Sequence, residues 1–302
     1  MKSRLWLFIG FIAAIWVPRA EADLRVFACE PFYQALLKEI GGEQVHVYLA
    51  TTALQDPHRI QARPSLISQV RRADMIACHG AELEIGWLPL LLRRANNPNL
   101  YPGRPGHFIG TDFVKKLGVP TKIDRALGDI HAEGNPHIQT GPQNVIPVAN
   151  ALVQRLIELD PSNRSSYERR HQQFVARWQQ RLDKWRTEIK ALKGMPVVVY
   201  HDSWVYLEAF TGIKKVATIE DKPGIPPTSG HLANLLHQLE KNPAKAILYA
   251  AYQNPKAAQW LAEKIKIPLV KLPFTIGGTE DADSLEHLYE VTFQRLLERV
   301  KP

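Results

Sequence analysis

Three histidines stand far apart in this 302-residue chain, each in a tight local setting. His58 lies in Asp56-Pro57-His58, His137 in Gly134-Asn135-Pro136-His137, and His201 in Val199-Tyr200-His201-Asp202. No two can share a helix turn, and each falls where a strand or loop is expected to end. A fold that gathers three such rings makes a site for a first-row transition metal, because neutral imidazole is a good ligand for zinc and its neighbours. Proline precedes the first two histidines and restricts the backbone, which suits a donor held on a loop. Three imidazoles leave a tetrahedral ion one position short. Residues 275–283 form a glycine-containing acidic segment with Glu280, Asp281 and Asp283, so one of these carboxylates or a water is the expected fourth donor. Asp283 is the named candidate, although it suits equally the N-cap of the helix that follows. His131, six residues before His137, is a candidate accessory ligand. His171, His231, His237 and His287 read as surface or cap residues, and His79 and His107 as local loop residues.

The elements that must position these rings follow α/β logic. Strand patterns at 24–29, 45–49 and 75–78 alternate with helical patterns at 31–40, 64–72, 81–94 (bent or divided at Pro89) and 144–159. Residues 161–193 then form one charged helix with Phe174, Trp178, Leu182 and Trp185 near a 3–4 spacing. After Gly194-Met195-Pro196 the alternation restarts, with strands at 197–200, 215–219, 246–249 and 269–272. Helices are expected at 203–210, 228–240, 255–264 and 284–300. The predicted fold is α/β: two lobes, 23–160 and 195–302, each a parallel sheet flanked by helices, joined by a long rigid helix over 161–194. The cleft between lobes, where the carboxyl ends of strands face one another, is where ligands are expected.

Residues 1–22 read as a secretory signal peptide. Lys2 and Arg4 precede an apolar run over 5–17, and Ala20-Glu21-Ala22 is a small-x-small cleavage site. The run is short for a span of ~20 residues, and no cysteine near the cut offers a lipid anchor, so export to a bacterial periplasm is expected. The formal net charge of +8 comes from lysines and arginines spread along helical stretches as solvated faces, so no nucleic-acid partner is expected. The two cysteines, Cys29 and Cys78, each end a predicted buried strand. Adjacent parallel strands lie ~4.8 Å apart, within reach of a disulfide. A Cys29–Cys78 disulfide therefore ranks ahead of two free thiols, and a thiolate ligand ranks last.

Several motifs together carry a family resemblance. Asp56-Pro57-His58 followed by Arg63-Pro64-Ser65, then Gly80-Ala81-Glu82-Leu83-Glu84-Ile85-Gly86-Trp87, Gly134-Asn135-Pro136-His137 and Tyr200-His201-Asp202-Ser203-Trp204-Val205-Tyr206, resemble the cluster A-I solute-binding proteins of metal ABC importers. The resemblance runs over essentially the whole mature chain. It implies two lobes joined by a rigid helix with one transition-metal ion between them, and by motif position it carries the family's ligand histidines to His58, His137 and His201. Two departures stand out. The long histidine- and acid-rich loop of many zinc-specific members is here the short 120–134 segment with only His131. Where many manganese-binding members have an acidic ligand, this chain has Gly277-Gly278. Lack of that acid leans toward a nitrogen-rich shell, hence Zn2+ ahead of Mn2+ or Fe2+. The expected protein is a periplasmic monomer, not an enzyme, that captures zinc and hands it to a membrane permease. A three-histidine zinc hydrolase is the rival, and it lacks a His-Glu-x-x-His pattern or an acid tied to a ligand helix. A surface adhesin is a third reading, disfavoured by the absence of a lipid-attachment cysteine.

Overall fold

The computed structural model describes residues 23–121, 128 and 130–300, so the segment read as a signal peptide and part of the segment before His137 lie outside the described residues. Two four-stranded sheets make the frame. The first holds β1 (Leu24–Ala28), β2 (Val45–Leu49), β3 (Met75–Cys78) and β4 (His107–Ile109) in the order β2-β1-β3-β4. The second holds β5 (Pro196–Val199), β6 (Lys214–Thr218), β7 (Ala246–Ala250) and β8 (Leu269–Leu272) in the order β6-β5-β7-β8. All pairings are parallel. The central strands are runs of apolar residues, Met75-Ile76-Ala77-Cys78 and Val197-Val198-Val199 among them, because helices cover both faces of a parallel sheet. The two lobes thus repeat one strand order, with the switch point beside β1 in one and β5 in the other.

Helices α1 (Pro31–Gly41), α2 (Pro64–Arg72), α3 (Leu88–Ala95) and α4 (Val145–Leu159) serve the first sheet. Helix α5 (Arg164–Glu188) continues as 3-10 turns at each end, Pro161–Asn163 and Ile189–Leu192, and makes one long rod. Its Phe174, Trp178, Leu182 and Trp185 are buried in a single core that takes in Val26 and Phe32 of the first lobe and Val197, Leu248 and Tyr289 of the second. Helices α6 (Val205–Thr211), α7 (Ser229–Lys241), α8 (Lys256–Ile265) and α9 (Leu285–Leu297) complete the second lobe. Among the described residues no helix is long and apolar enough to cross a membrane.

Two elements differ from expectation. His107, read as a loop residue, opens the edge strand β4, which is too short to show an alternating pattern. His79, read as a loop residue, does lie outside any strand or helix, just past β3, and is fully buried. The helix expected over 81–94 begins only at Leu88. Residues 80–82 instead turn left-handed, with φ of 82° at Gly80, 45° at Ala81 and 66° at Glu82. Such a conformation costs about 1–2 kcal/mol at each non-glycine residue. The buried Glu84 carboxylate offsets this by accepting from the backbone N–H of His79 at 2.7 Å and of Gly80 at 2.9 Å. Cys29 and Cys78 are joined, with Cα atoms 4.9 Å apart, at the carboxyl ends of the paired strands β1 and β3.

Candidate metal centre

Each histidine is delivered by the end of a strand or the loop after it. His58 lies in the long connection from β2 to α2. His201 is two residues past β5, and His137 precedes a 3-10 turn, Ile138–Thr140, that leads into α4. The structure brings the three rings together. Ring centroids are 5.2 Å apart for His58 and His137, 5.6 Å for His58 and His201, and 5.5 Å for His137 and His201. A fourth ring joins them. His131 Nε2 stands 3.3 Å from His58 Nε2, and the donor atoms of His58, His131 and His137 all lie within 4.8 Å of one another, a set that does not take in His201, whose ring stands beside it. Nitrogens around a tetrahedral ion at ~2.05 Å lie roughly 3.3 Å apart, so this spacing is that of two corners of such a shell.

Two rings are oriented by carboxylates. His58 Nδ1 lies 2.8 Å from Asp56 Oδ1, and the His58 backbone N–H donates to the same oxygen. His201 Nδ1 lies 2.7 Å from Glu220 Oε2, which also accepts from the Gly224 backbone N–H at 2.9 Å. The pair forms because β5 and β6 are neighbours, so the residues just past their carboxyl ends meet. With Nδ1 engaged, each ring turns Nε2 toward the cluster, the arrangement that raises imidazole basicity in metal sites. Burial would raise the Asp56 carboxyl, but the bonds from His58 outweigh it and hold it below its usual range.

His137 has no such partner. It is fully buried against Phe274, and both its ring nitrogens lack a hydrogen bond. Burial, reinforced by His58 and His201, drives its pKa far below the usual value. His131 is lowered to about 3 by burial and then by His58 and His201. These rings are kept neutral, the state in which imidazole binds a metal. A buried neutral imidazole with two unpaired nitrogens costs free energy unless a ligand takes a lone pair, so the residues present fit a cation.

The backbone around His137 and His201 is braced across the lobes. The Asn135 side chain caps the His137 N–H at 3.0 Å and donates to the Asp202 carbonyl at 2.6 Å. Tyr206 of α6 donates to the Asn135 carbonyl at 2.8 Å and accepts from the Leu117 N–H at 3.3 Å. Thr140 donates to the His137 carbonyl at 2.9 Å and lies 3.2 Å from that of Ser203. Tyr206 lies five residues past His201, near the start of the helix that follows β5, and that placement is legible in the sequence.

Asp283 does not join the cluster. Its side chain is 70% exposed and pairs with His287 at 2.6 Å, one turn further along α9, while Ser284 takes the N-cap. Asp281 is held by Arg295 at 2.8 Å. Gly278 offers no place for an acid either, because a Cβ there would meet the Pro273 carbonyl oxygen at 1.8 Å. The loop's acids thus serve the helix and the surface. The residue nearest to filling the fourth corner is His131.

A rod-linked pair of parallel sheets with a histidine cluster at their strand ends defines a binding protein for a metal ion, and the comparisons specify its class. The model of the family "zinc-uptake complex component A, periplasmic" (ZnuA) matches residues 26–299, and the chain belongs to this family of transport substrate-binding proteins, which are not enzymes. It is a metal ABC transporter substrate-binding protein. It is 21% identical over 277 residues to the manganese ABC transporter substrate-binding lipoprotein PsaA of Streptococcus pneumoniae, covering 89% of this chain and 85% of that one. It is 22% identical over 277 residues to the metal ABC transporter substrate-binding lipoprotein SloC of Streptococcus mutans, covering 88% and 86%. Among solved structures, a crystal structure of ZnuA superposes with a TM-score of 0.75 at 21% identity, over 92% of this chain and all of that one. A manganese-bound periplasmic metal-binding protein from Candidatus Liberibacter asiaticus gives 0.74 at 18% identity, over 92% of this chain.

Proposed function

We propose that the protein captures zinc between its lobes through His58, His137 and His201 and delivers it to the permease of a metal ABC importer. The observation that carries this reading is His137, wholly buried with both ring nitrogens unpartnered and facing two rings whose Nδ1 atoms are tied to carboxylates. Donors that are all nitrogen favour zinc over manganese, which prefers oxygen-rich shells. Both carboxylates at the cluster, Asp56 and Glu220, are engaged with ring nitrogens. The lobes in this reading are 23–160 and 195–302 with 161–194 as the link, and the protein works as a periplasmic monomer after removal of residues 1–22.

Competitive titration with zinc and manganese tests the reading. Single alanine substitutions at His58, His137 and His201 should each weaken zinc binding, and the unaltered protein should take zinc in preference to manganese. Unchanged zinc affinity in all three variants would reject the site, and a preference for manganese would reject the cargo. The named manganese carriers among its relatives make that competition the decisive measurement.

A further inference from the structure

The turn at 80–87 has no role in a three-histidine site, yet it touches both loops that bring histidines to the cluster. Its last residue, Trp87, donates its indole N–H to the Pro57 carbonyl at 2.9 Å, and Gly86 packs against the His58 carbonyl, which a Cβ there would meet at 3.2 Å. Its first residues reach the other loop. The Glu82 carboxylate accepts from the Ala132 backbone N–H at 2.7 Å, on the residue next to His131. Ala81 and Glu82 lie on left-handed backbone, held by Glu84 and by the Leu83 N–H to Gly80 carbonyl bond at 3.0 Å. The turn follows directly from Cys78, whose disulfide fixes it to β1. Strained backbone of this kind persists where surrounding structure over-determines it and concentrates at functional sites.

We propose that this strained turn is a positioning element that presents His131 as a fourth nitrogen ligand, with Glu82 as the residue that holds it, so that the site is a four-imidazole shell selecting zinc-like ions against manganese. The inference rests on the reading of His58, His137 and His201 given above. His131 occupies the corner that the acidic loop at 275–283 does not reach. Its Nε2 faces His58 Nε2 at 3.3 Å, while the next residue, Ala132, is held by Glu82. Glu82 acts one residue further on, through the backbone of Ala132, and so fixes the loop's path instead of touching the ion.

Glu82→Gly separates positioning from folding. Glycine relieves the left-handed strain at residue 82, so thermal stability should hold or rise, while loss of the carboxylate should lower zinc affinity roughly 10- to 100-fold, as for other residues that orient a metal ligand. Glu82→Gln keeps an acceptor oxygen and should retain most of the affinity. His131→Ala should match Glu82→Gly, and the double variant should lose little more. The count of imidazoles around bound zinc by X-ray absorption should fall from four to three in both single variants, and the zinc-to-manganese affinity ratio should fall with it. Unaltered affinity and imidazole count in His131→Ala, alongside lost binding in His137→Ala, would overturn this proposal and leave the three-histidine site standing. Unaltered binding in the His58, His137 and His201 variants would instead remove the site itself. A parallel loss of stability and affinity in Glu82→Gly would make the turn merely structural and overturn the positioning role.

Discussion

Removing the carboxylate behind His201 should weaken metal binding without touching a ligand. Glu220 Oε2 lies 2.7 Å from His201 Nδ1 and 2.9 Å from the Gly224 backbone nitrogen, and both side chains are nearly excluded from solvent. Its negative charge makes the imidazole a stronger donor and fixes the ring so that Nε2 faces the cluster. Loss of such a partner costs about 10- to 100-fold in affinity, or about 1.4–2.7 kcal/mol at 1.36 kcal/mol per decade. The two available substitutions divide that range. Glu220→Gln keeps an oxygen that can accept from both donors and loses the charge alone, so it belongs near tenfold. Glu220→Ala also frees the ring and leaves the Gly224 N–H unpaired, so it belongs near a hundredfold. The assay is competition against a chromophoric chelator at neutral pH and fixed salt, with a melting curve to show that each variant is folded. Glu39→Gln, which removes one side of an exposed pair with Arg177, is the control and should bind as the unaltered protein does. A folded Glu220→Ala variant within about twofold of the unaltered protein would refute the claim that orientation of His201 contributes to affinity.

Glu84 sets a second expectation. Burial raises its carboxyl to about 7 despite two backbone N–H bonds, so the folded state keeps a proton that the unfolded chain releases near pH 4.5. Its contribution is therefore full below about pH 4.5 and is lost as pH rises through about 7, by at most about 3 kcal/mol. The stability advantage of the unaltered protein over Glu84→Gln, from denaturant melts, should shrink across that window, and a constant difference would refute it. Replacing Cys29 and Cys78 together by serine opens a link between residues 49 apart and should cost about 4 kcal/mol on the loop-entropy model; a variant as stable as the unaltered protein would count against the cross-link. Finally, amide exchange should be slow at 135–140 and 199–206, where inter-lobe bonds brace the backbone. It should be faster at 56–60 and 130–134, and zinc should slow the second pair more. The reverse order would be a refutation.

How much of this was legible depends on whether a residue's role is set by its neighbours in sequence. The convergence of His58, His137 and His201 could be foreseen because each sits at the end of an α/β strand or in a loop beside the cleft, and parallel strands deliver such positions to one edge. The strands themselves were clear as apolar runs; β4, three residues long at an edge, carried too little pattern to register. Asp283 misled because an acid before a helix reads identically as ligand or cap, and His287 on the next turn decides where the carboxylate goes. Residues 81–87 read as helix because Ala-Glu-Leu-Glu-Ile suits one by propensity. The return of Glu84 to the backbone of His79 and Gly80, which no periodicity encodes, helps hold the left-handed turn. Glu220 carried a usable signal that went unread: it follows β6 as His201 follows β5, and those two strands are neighbours.

The cluster divides into a stiff half and a softer half, and the division bears on how an ion enters and leaves. His137 and His201 sit where Asn135, Tyr206 and Thr140 bond the two lobes together, close to the shared core that runs through α5. Opening the lobes about a hinge would break those bonds and disturb the core in which Trp178, Trp185 and Tyr289 pack edge-to-face or tilted against one another. Burying aromatic side chains of this size is worth several kcal/mol each, so a wide hinge is disfavoured. His58 and His131 lie on loops tied by Trp87 to Pro57, Glu82 to Ala132, and Arg59 across the lobes to the Gly224 carbonyl. Under the proposed reading, exchange of the ion would fall to this half, with the rings of His137 and His201 staying in place. The two proline-led loops look alike in sequence; under the proposed reading, what would separate a fixed donor from a movable one is whether the opposite lobe bonds to its backbone.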